Sequence, residues 1–270
     1  MVLFMVHFME LKMKRLFSVI ALSIACLTSA SAFSAASELR LGVDATFPPF
    51  ESKDASGHLQ GFDIDLGNAI CQQLQRKCVW IENSFDGLIP ALQARKFDAI
   101  ISSLSVTPER EKSINFSDKL FNTPAWLVAG KGGSITDNPA TLKGKRVGVQ
   151  QGSVFETYAN TYWRPAGVDV ISYPDANSVY ADLVAGRLDA TLDDSSVISQ
   201  TLLNQPQGKA FTRIRQIRDD AIFGPGTGIG IRKNDTALQT QLNNAIRAIR
   251  ADGTYERIAK KYFNFNIYGD

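Results

Sequence analysis

Asp98-Ala99-Ile100-Ile101-Ser102-Ser103-Leu104-Ser105-Val106-Thr107-Pro108-Glu109-Arg110 reads as a strand that runs into a helix through a very short loop. The apolar run at 99–101 has β character and ends in hydroxyls. Thr107 is a good N-cap and Pro108 a good first helical residue. A strand end, a loop of small residues and a helix start together make a pocket for a small anion. Arg110 can grip a carboxylate through two parallel hydrogen bonds, with hydroxyls and amides completing the shell. The stretch therefore points to a bound free carboxylic acid, an amino acid being the foremost candidate.

Strand-like and helix-like segments alternate on both sides of it. A strand is expected at 39–43, a helix at 63–76, a strand at 79–82 and a helix at 85–94. The stretch itself adds a strand at 98–102 and a short helix at 108–114. After a break at Asn122-Thr123-Pro124-Ala125 a second series follows: strand 146–149, helix 154–163, strand 169–173, helix 177–185, strand 189–192 and helix 195–203. A second break near Asp219-Asp220 precedes Gly224-Pro225-Gly226-Thr227-Gly228 and a strand at 229–232. The helix at 236–251 places Leu238, Leu242, Ile246 and Ile249 on one stripe, with Gly253 at its C′ end. A last short helix is expected at 254–263. Such alternation implies an α/β fold of parallel sheets with helices on their faces.

The two halves echo each other. Ala94-Arg95-Lys96-Phe97-Asp98-Ala99-Ile100-Ile101-Ser102-Ser103 and Ala185-Gly186-Arg187-Leu188-Asp189-Ala190-Thr191-Leu192-Asp193-Asp194 both read helix end, turn, aspartate, strand, polar cluster. Open α/β sheets bind ligands at the carboxyl ends of such strands. Two facing lobes would put the serines on one wall of a cleft and Asp193/Asp194 on the other.

The N-terminus reads as a secretory leader spanning 1–36. Met13, taken as the true start, opens a basic n-region. An apolar h-region runs over 16–27, and Ala30-Ser31-Ala32 and Ser34-Ala35-Ala36 are candidate cleavage sites. Ser23 stands where a lipoprotein signal at Cys26 would favour leucine, so anchoring is not expected. The 270 residues hold 29 basic and 27 acidic side chains. Lys12, Lys14, Arg15 and Glu10 belong to the leader, which leaves 26 of each. That balance excludes a basic field for nucleic acid, and no second apolar run suits membrane insertion. Cys71 and Cys78 remain as an even pair, suggesting a disulfide in an oxidising compartment. A metal site or a thiol nucleophile is the poorer alternative. The two histidines are His7, in the leader, and His58.

Other pieces have the same flavour: Gly42-Val43-Asp44-Ala45-Thr46-Phe47-Pro48-Pro49-Phe50, Gly61-Phe62-Asp63-Ile64-Asp65-Leu66, Lys143-Gly144-Lys145-Arg146-Val147-Gly148-Val149, Asp252-Gly253-Thr254-Tyr255 and the closing run from Lys260 to Asp270. With the Ser102–Arg110 and Ala185–Ala190 motifs, in this order and spacing, residues 38–270 resemble the periplasmic amino-acid-binding proteins of ABC importers (solute-binding protein family 3). The resemblance is strongest to lysine/arginine/ornithine- and histidine-binding members, whose disulfide the pair Cys71 and Cys78 matches. It implies the two-lobe, type II periplasmic binding protein fold. Lobe 1 would take 38–122 plus 227–270, lobe 2 would take 126–218, and hinge crossovers would fall at 122–126 and 218–227.

The resemblance also implies a ligand-binding set. Arg110 would bind the ligand α-carboxylate, with Ser102, Ser103 and Ser105 around the carboxylate and ammonium. Asp194 would pair with the α-ammonium, and Asp193 beside it is read as a solvated loop acid. Asp44 would meet a distal positive charge, and Phe47 and Phe85 would sandwich the aliphatic stem. The second half departs from the pattern. Gln150 stands where close relatives place leucine, and Val154-Phe155 follow Ser153 where they place Thr-Gln. The Val154 N–H still suits a carboxylate, because that contact needs no side chain.

The function implied is a monomeric periplasmic receptor that binds a basic L-amino acid and delivers it to an inner-membrane ABC permease. It would use no cofactor, no metal and no catalytic residue. The alternatives are a receptor for an opine or another polar amino acid, a sensory module, or a dehydratase on the same fold.

Overall fold

The computed structural model describes residues 37–269. The expected leader, with Met13 and Cys26, lies outside the described residues. Two five-stranded sheets organise the rest. The first runs in the order Lys77–Glu82, Glu38–Val43, Ala99–Ile100, Gly230–Arg232, Ile114–Phe116. Its first three strands are parallel, and Gly230–Arg232 is antiparallel to both its neighbours. The second runs Phe211–Ile217, Ala125–Gly130, Ala190–Asp194, Arg146–Gln150, Asp169–Tyr173. There the last three are parallel and the first two antiparallel.

In each parallel trio the strand that comes first in the chain lies in the middle, with the second on one side and the third on the other. The crevice between the ends of the first and third strands is where connections leave in opposite directions. Asp44 and Ser102 follow those strands in one sheet; Gln150 and Asp194 end them in the other. The repeated aspartates pin this geometry. Asp98 accepts from the Arg40 N–H at 3.1 Å and its guanidinium at 2.8 Å. Asp189 accepts from the Arg146 N–H at 2.8 Å and its Nε–H at 3.3 Å. Each aspartate ties the third strand to the first just where the third begins.

The expectation of parallel sheets needs correction: both are mixed. Ala125–Gly130 and Phe211–Ile217 are strands that the two breaks concealed. The short helix ends at Glu111, not 114, and Ile114 opens a strand whose Ile114 and Phe116 are buried. The helix expected at 85–94 starts as a 3-10 turn, Phe85–Gly87, before Leu88–Gln93. Those at 154–163 and 195–203 both finish as π-helical turns. A two-stranded hairpin, Ser52–Lys53 with Leu59–Gln60, precedes the helix Phe62–Gln73.

Apolar spacing accounts for the layers. Phe62–Gln73 buries Phe62, Ile64, Leu66 and Ile70, and the Cys71–Cys78 disulfide, with Cα atoms 5.8 Å apart, ties its last turn to the next strand. Thr236–Ala251 buries the predicted Leu238, Leu242, Ile246 and Ile249. Gly253 follows it in the left-handed region at φ 76°, a conformation glycine adopts without strain. An aromatic nucleus sits beside the first sheet: Phe50 stacks on Phe121 with centroids 4.7 Å apart, and Phe62 stands edge-on to Phe263 at 5.1 Å.

The chain passes between the sheets twice, after Phe116 and after Ile217, and the passages run side by side. Ala125 pairs with Ile217. The Thr227 N–H donates to the Phe121 carbonyl at 2.9 Å, and the Leu120 N–H to the Thr227 carbonyl at 2.9 Å. The C-terminal segment braces the first passage: the Tyr255 hydroxyl donates to the Leu120 carbonyl at 2.8 Å, and the Ile267 carbonyl accepts from the Asn122 N–H at 3.0 Å. Among the described residues no helix is long and apolar enough to cross a membrane.

Candidate functional site

The strand ends of the two sheets border a cleft. The first sheet contributes Asp44, Phe47, Glu51, Phe85, Ser103, Ser105 and Arg110. The second contributes Gln150, Ser153, Val154, Phe155 and Asp194. Phe121, Asn122, Thr123, Ala125, Gly226 and Thr227 from the two passages, with Phe223 on the short helix Asp220–Phe223, close it. Eleven of the twelve expected ligand-binding residues thus meet around one space. Ser102 stands behind the wall, 1% exposed.

Arg110 is placed as its local sequence dictates. The Thr107 hydroxyl accepts from the Arg110 N–H at 3.2 Å, with Pro108 at the first helical position. The guanidinium lies 5.5 Å from the centre of the Phe85 ring. It donates to the Ser105 carbonyl at 2.9 Å and, across the cleft, to the Gly152 carbonyl at 3.0 Å. Burial pushes its pKa down to about 10. A half-desolvated guanidinium with only carbonyls as partners is poised for a carboxylate.

The acids face it from two sides. Asp194 is 5% exposed and caps the turn Ser195–Ile198, accepting from the Ser196 N–H at 2.7 Å and the Val197 N–H at 3.2 Å. The Thr123 hydroxyl, from the first passage, donates to its other oxygen. Burial raises Asp194 to about 6 despite these bonds. Asp44 is 6% exposed. It accepts from the Thr46 hydroxyl at 2.9 Å and from the Gln150 amide at 2.7 Å. Burial again dominates and lifts it to about 6. The Gln150 contact, like that of Arg110 with Gly152, joins the two sheets across the cleft.

Asp193 is not a solvated loop acid. It is 5% exposed and accepts from the Tyr180 hydroxyl at 2.8 Å and the Asp194 N–H at 2.8 Å. Strand alternation turns it to the opposite face, into the layer beneath the helix Ala176–Val184, and burial pushes it up to about 7. Ser153 caps the helix Val154–Tyr158, accepting from the Glu156 N–H at 3.1 Å, and Ser153, Val154 and Phe155 at its start line the cleft. Phe155 lies against Phe223, centroids 6.1 Å apart.

Glu51 is the charged lining residue that sequence reasoning missed. It directly follows the quoted Phe47-Pro48-Pro49-Phe50 turn, and a lone acid after such a turn resembles any solvated glutamate. It is instead 1% exposed. Among the lining side chains Arg110 is the one cation, against Asp44, Glu51 and Asp194. The cleft thus offers one place for a carboxylate and more than one for positive groups, with aromatic faces at Phe47 and Phe85.

Comparison with known proteins agrees with this geometry. Residues 39–265 match the model of the bacterial extracellular solute-binding proteins, family 3. The lysine/arginine/ornithine-binding periplasmic protein of Escherichia coli is 50% identical over 96% of this chain and 100% of its own length. The histidine-binding periplasmic protein of Salmonella typhimurium is 46% identical over 95% of this chain and 100% of its own. An ancestral arginine-binding protein solved with arginine bound superposes with a TM-score of 0.78 at 37% identity, covering 84% of this chain and 98% of that one.

Proposed function

This chain belongs to the bacterial extracellular solute-binding proteins of family 3, and from that premise we propose that it is a periplasmic receptor for a cationic L-amino acid. The observation that carries the reading is the charge pattern of the cleft: one unpaired guanidinium, Arg110, opposed by Asp194 and Asp44 from the two sheets. The ligand carboxylate sits on Arg110, with Ser105 and the Val154 N–H beside it. Its ammonium lies between Asp194 and Ser103. Its side chain runs along Phe47 to a distal cation held by Asp44. Arg110, Asp194 and Asp44 then each have an opposite partner. The relatives' specificities for arginine, lysine, ornithine and histidine support the same class.

Two passages between lobes suit a hinge, with boundaries near 122–126 and 218–227. The ligand, touching both walls, favours the arrangement in which they meet, and that form docks on an inner-membrane ABC permease as a monomer. No step of bond chemistry belongs to this chain. The test is a thermal-shift screen over arginine, lysine, ornithine, histidine, glutamine and an opine. At least one cationic amino acid should raise Tm by several degrees at millimolar concentration, since a ligand present at a hundredfold its Kd stabilises by about 2.7 kcal/mol. A shift with neutral amino acids alone would overturn the reading.

A further inference from the structure

Glu51 and Asp63 are two carboxyls that the proposed ligand contacts leave unused. They are 1% and 0% exposed, and the Ser103 hydroxyl lies between them, 3.2 Å from Glu51 Oε2 and 3.5 Å from Asp63 Oδ2. Among the described residues the ion pairs seen involve neither of them. Their other partners lie in the strand-end loop. The Ser102 hydroxyl donates to Glu51 Oε1 at 3.2 Å and the Ser103 hydroxyl to Glu51 Oε2 at 3.2 Å. The Ser103 N–H donates to Asp63 Oδ2 at 2.6 Å. Asp63 Oδ1 is buried and receives no N–H or hydroxyl.

Two ionised carboxylates cannot sit in contact, away from water and cations, without a large penalty. One proton held between them relieves it. What the pair touches gives it a purpose. Ser103 has φ 48°, in the left-handed region that non-glycine residues seldom occupy. Its amide is held by Asp63 and its hydroxyl by Glu51. Ser102, held by Glu51, accepts from the Asp44 N–H at 3.0 Å.

We propose that Glu51 and Asp63 form an acid–carboxylate pair sharing one proton, and that this pair is a positioning device that holds Ser103 and Asp44 in their ligand-binding geometry. Burial and then the charge of Asp63 hold Glu51 well above its usual range, and burial raises Asp63 too. The other titratable groups facing the pair are Asp44, on the loop before Glu51, and Tyr255, on the helix Thr254–Tyr262. Both carry negative charge when ionised and so favour retention of the proton.

The test compares wild type with Glu51→Gln and Glu51→Ala, and its binding arm uses arginine as probe and so rests on the cationic-ligand reading. Glutamine can donate to Asp63 and accept from a serine, as the protonated acid does; alanine can do neither. Titration calorimetry should show E51A weakened by about thirtyfold and E51Q by no more than about threefold. The second arm needs no ligand. A carboxyl whose folded pKa is raised stabilises the fold below that value and loses the contribution as pH rises through it. The Tm of wild type should therefore fall relative to E51Q as pH rises above the usual carboxyl range. Parallel Tm profiles would overturn the shared proton, and E51Q as weak as E51A, or E51A as tight as wild type, would overturn the positioning role. If E51A does not fold, E51Q and wild type still decide through the pH profile. If arginine fails to bind wild type, the functional reading falls while the Tm arm still tests the pair.

Discussion

Asp44 and Asp194 both sit near pH 6 because burial outweighs the donors that each accepts from. A ligand cation pairs with the ionised form alone, so affinity should rise with pH through 6 and level off above 7. Each carboxylate contributes at most about tenfold per pH unit. Calorimetric titration with arginine should give a Kd at least about tenfold weaker at pH 5 than at pH 7.5; a flat profile would remove both acids from the site. The Gln150 amide lowers the Asp44 value, so Gln150→Leu should move the profile toward higher pH. Arg110→Ala should abolish binding, a loss of about a hundredfold or more from leaving a carboxylate buried and unpaired. Its Tm should stay within a few degrees of wild type, because the guanidinium holds only carbonyls and a ring face. Undiminished affinity would exclude Arg110 from the site. Arg110 was legible because its cap and first-turn proline lie within three residues of it. The roles of neighbouring acids and hydroxyls were not. Asp193 finds Tyr180 and Glu51 finds Ser102 and Ser103 through tertiary contacts alone, and Ser102, Ser103 and Ser105 look alike until the bend at Ser102 and Ser103 sets Ser102 behind the wall.

At the scale of elements, periodic apolar stripes and capping residues placed the long helices and the parallel trios. The antiparallel strands stayed hidden because Ala125–Gly130 follows Pro124 and Phe211–Ile217 carries alternating polar residues with a bulge between Arg213 and Arg215. Such strands are fixed by the neighbours they join, which a local pattern does not contain. The disulfide, by contrast, sits on predicted elements seven residues apart, and neither cysteine lines the cleft. Replacing both with serine should lower stability by about 2 kcal/mol in the loop-entropy account and leave arginine affinity within about twofold. Urea unfolding and calorimetry check the two halves of that expectation; a large affinity loss would show that the helix Phe62–Gln73 is coupled to the cleft.

Across the whole molecule, the walls meet at one tight place. Gly152 has φ 76°, and a Cβ there would lie 2.9 Å from the Asp86 Cα on the facing wall. Gly152→Val should hinder the meeting of the walls without touching either sheet. The expected result is arginine binding at least about tenfold weaker, with the unliganded Tm lowered as well because a β-branched residue is strained at this φ; wild-type affinity would mean that the approach at Gly152 is not needed for binding. The internal echo of Asp98 and Asp189 made the two-sheet plan legible, whereas the contact of Gly152 with Asp86 depends on how the two sheets come together and no stretch of sequence announces it.

Strand connectivity also sets a timetable. The second sheet is built from one continuous segment, 125–217, but the first needs Gly230–Arg232 between Ala99–Ile100 and Ile114–Phe116. Domains whose parts are contiguous can fold as soon as they emerge. A chain delivered from its N-terminus onward presents most of the first sheet early and cannot finish it, because the missing strand arrives almost last. The bracing carbonyl of Ile267 arrives later still. The first sheet, and with it the binding cleft, is therefore completed only when nearly the whole chain is available, whereas the second sheet can form earlier.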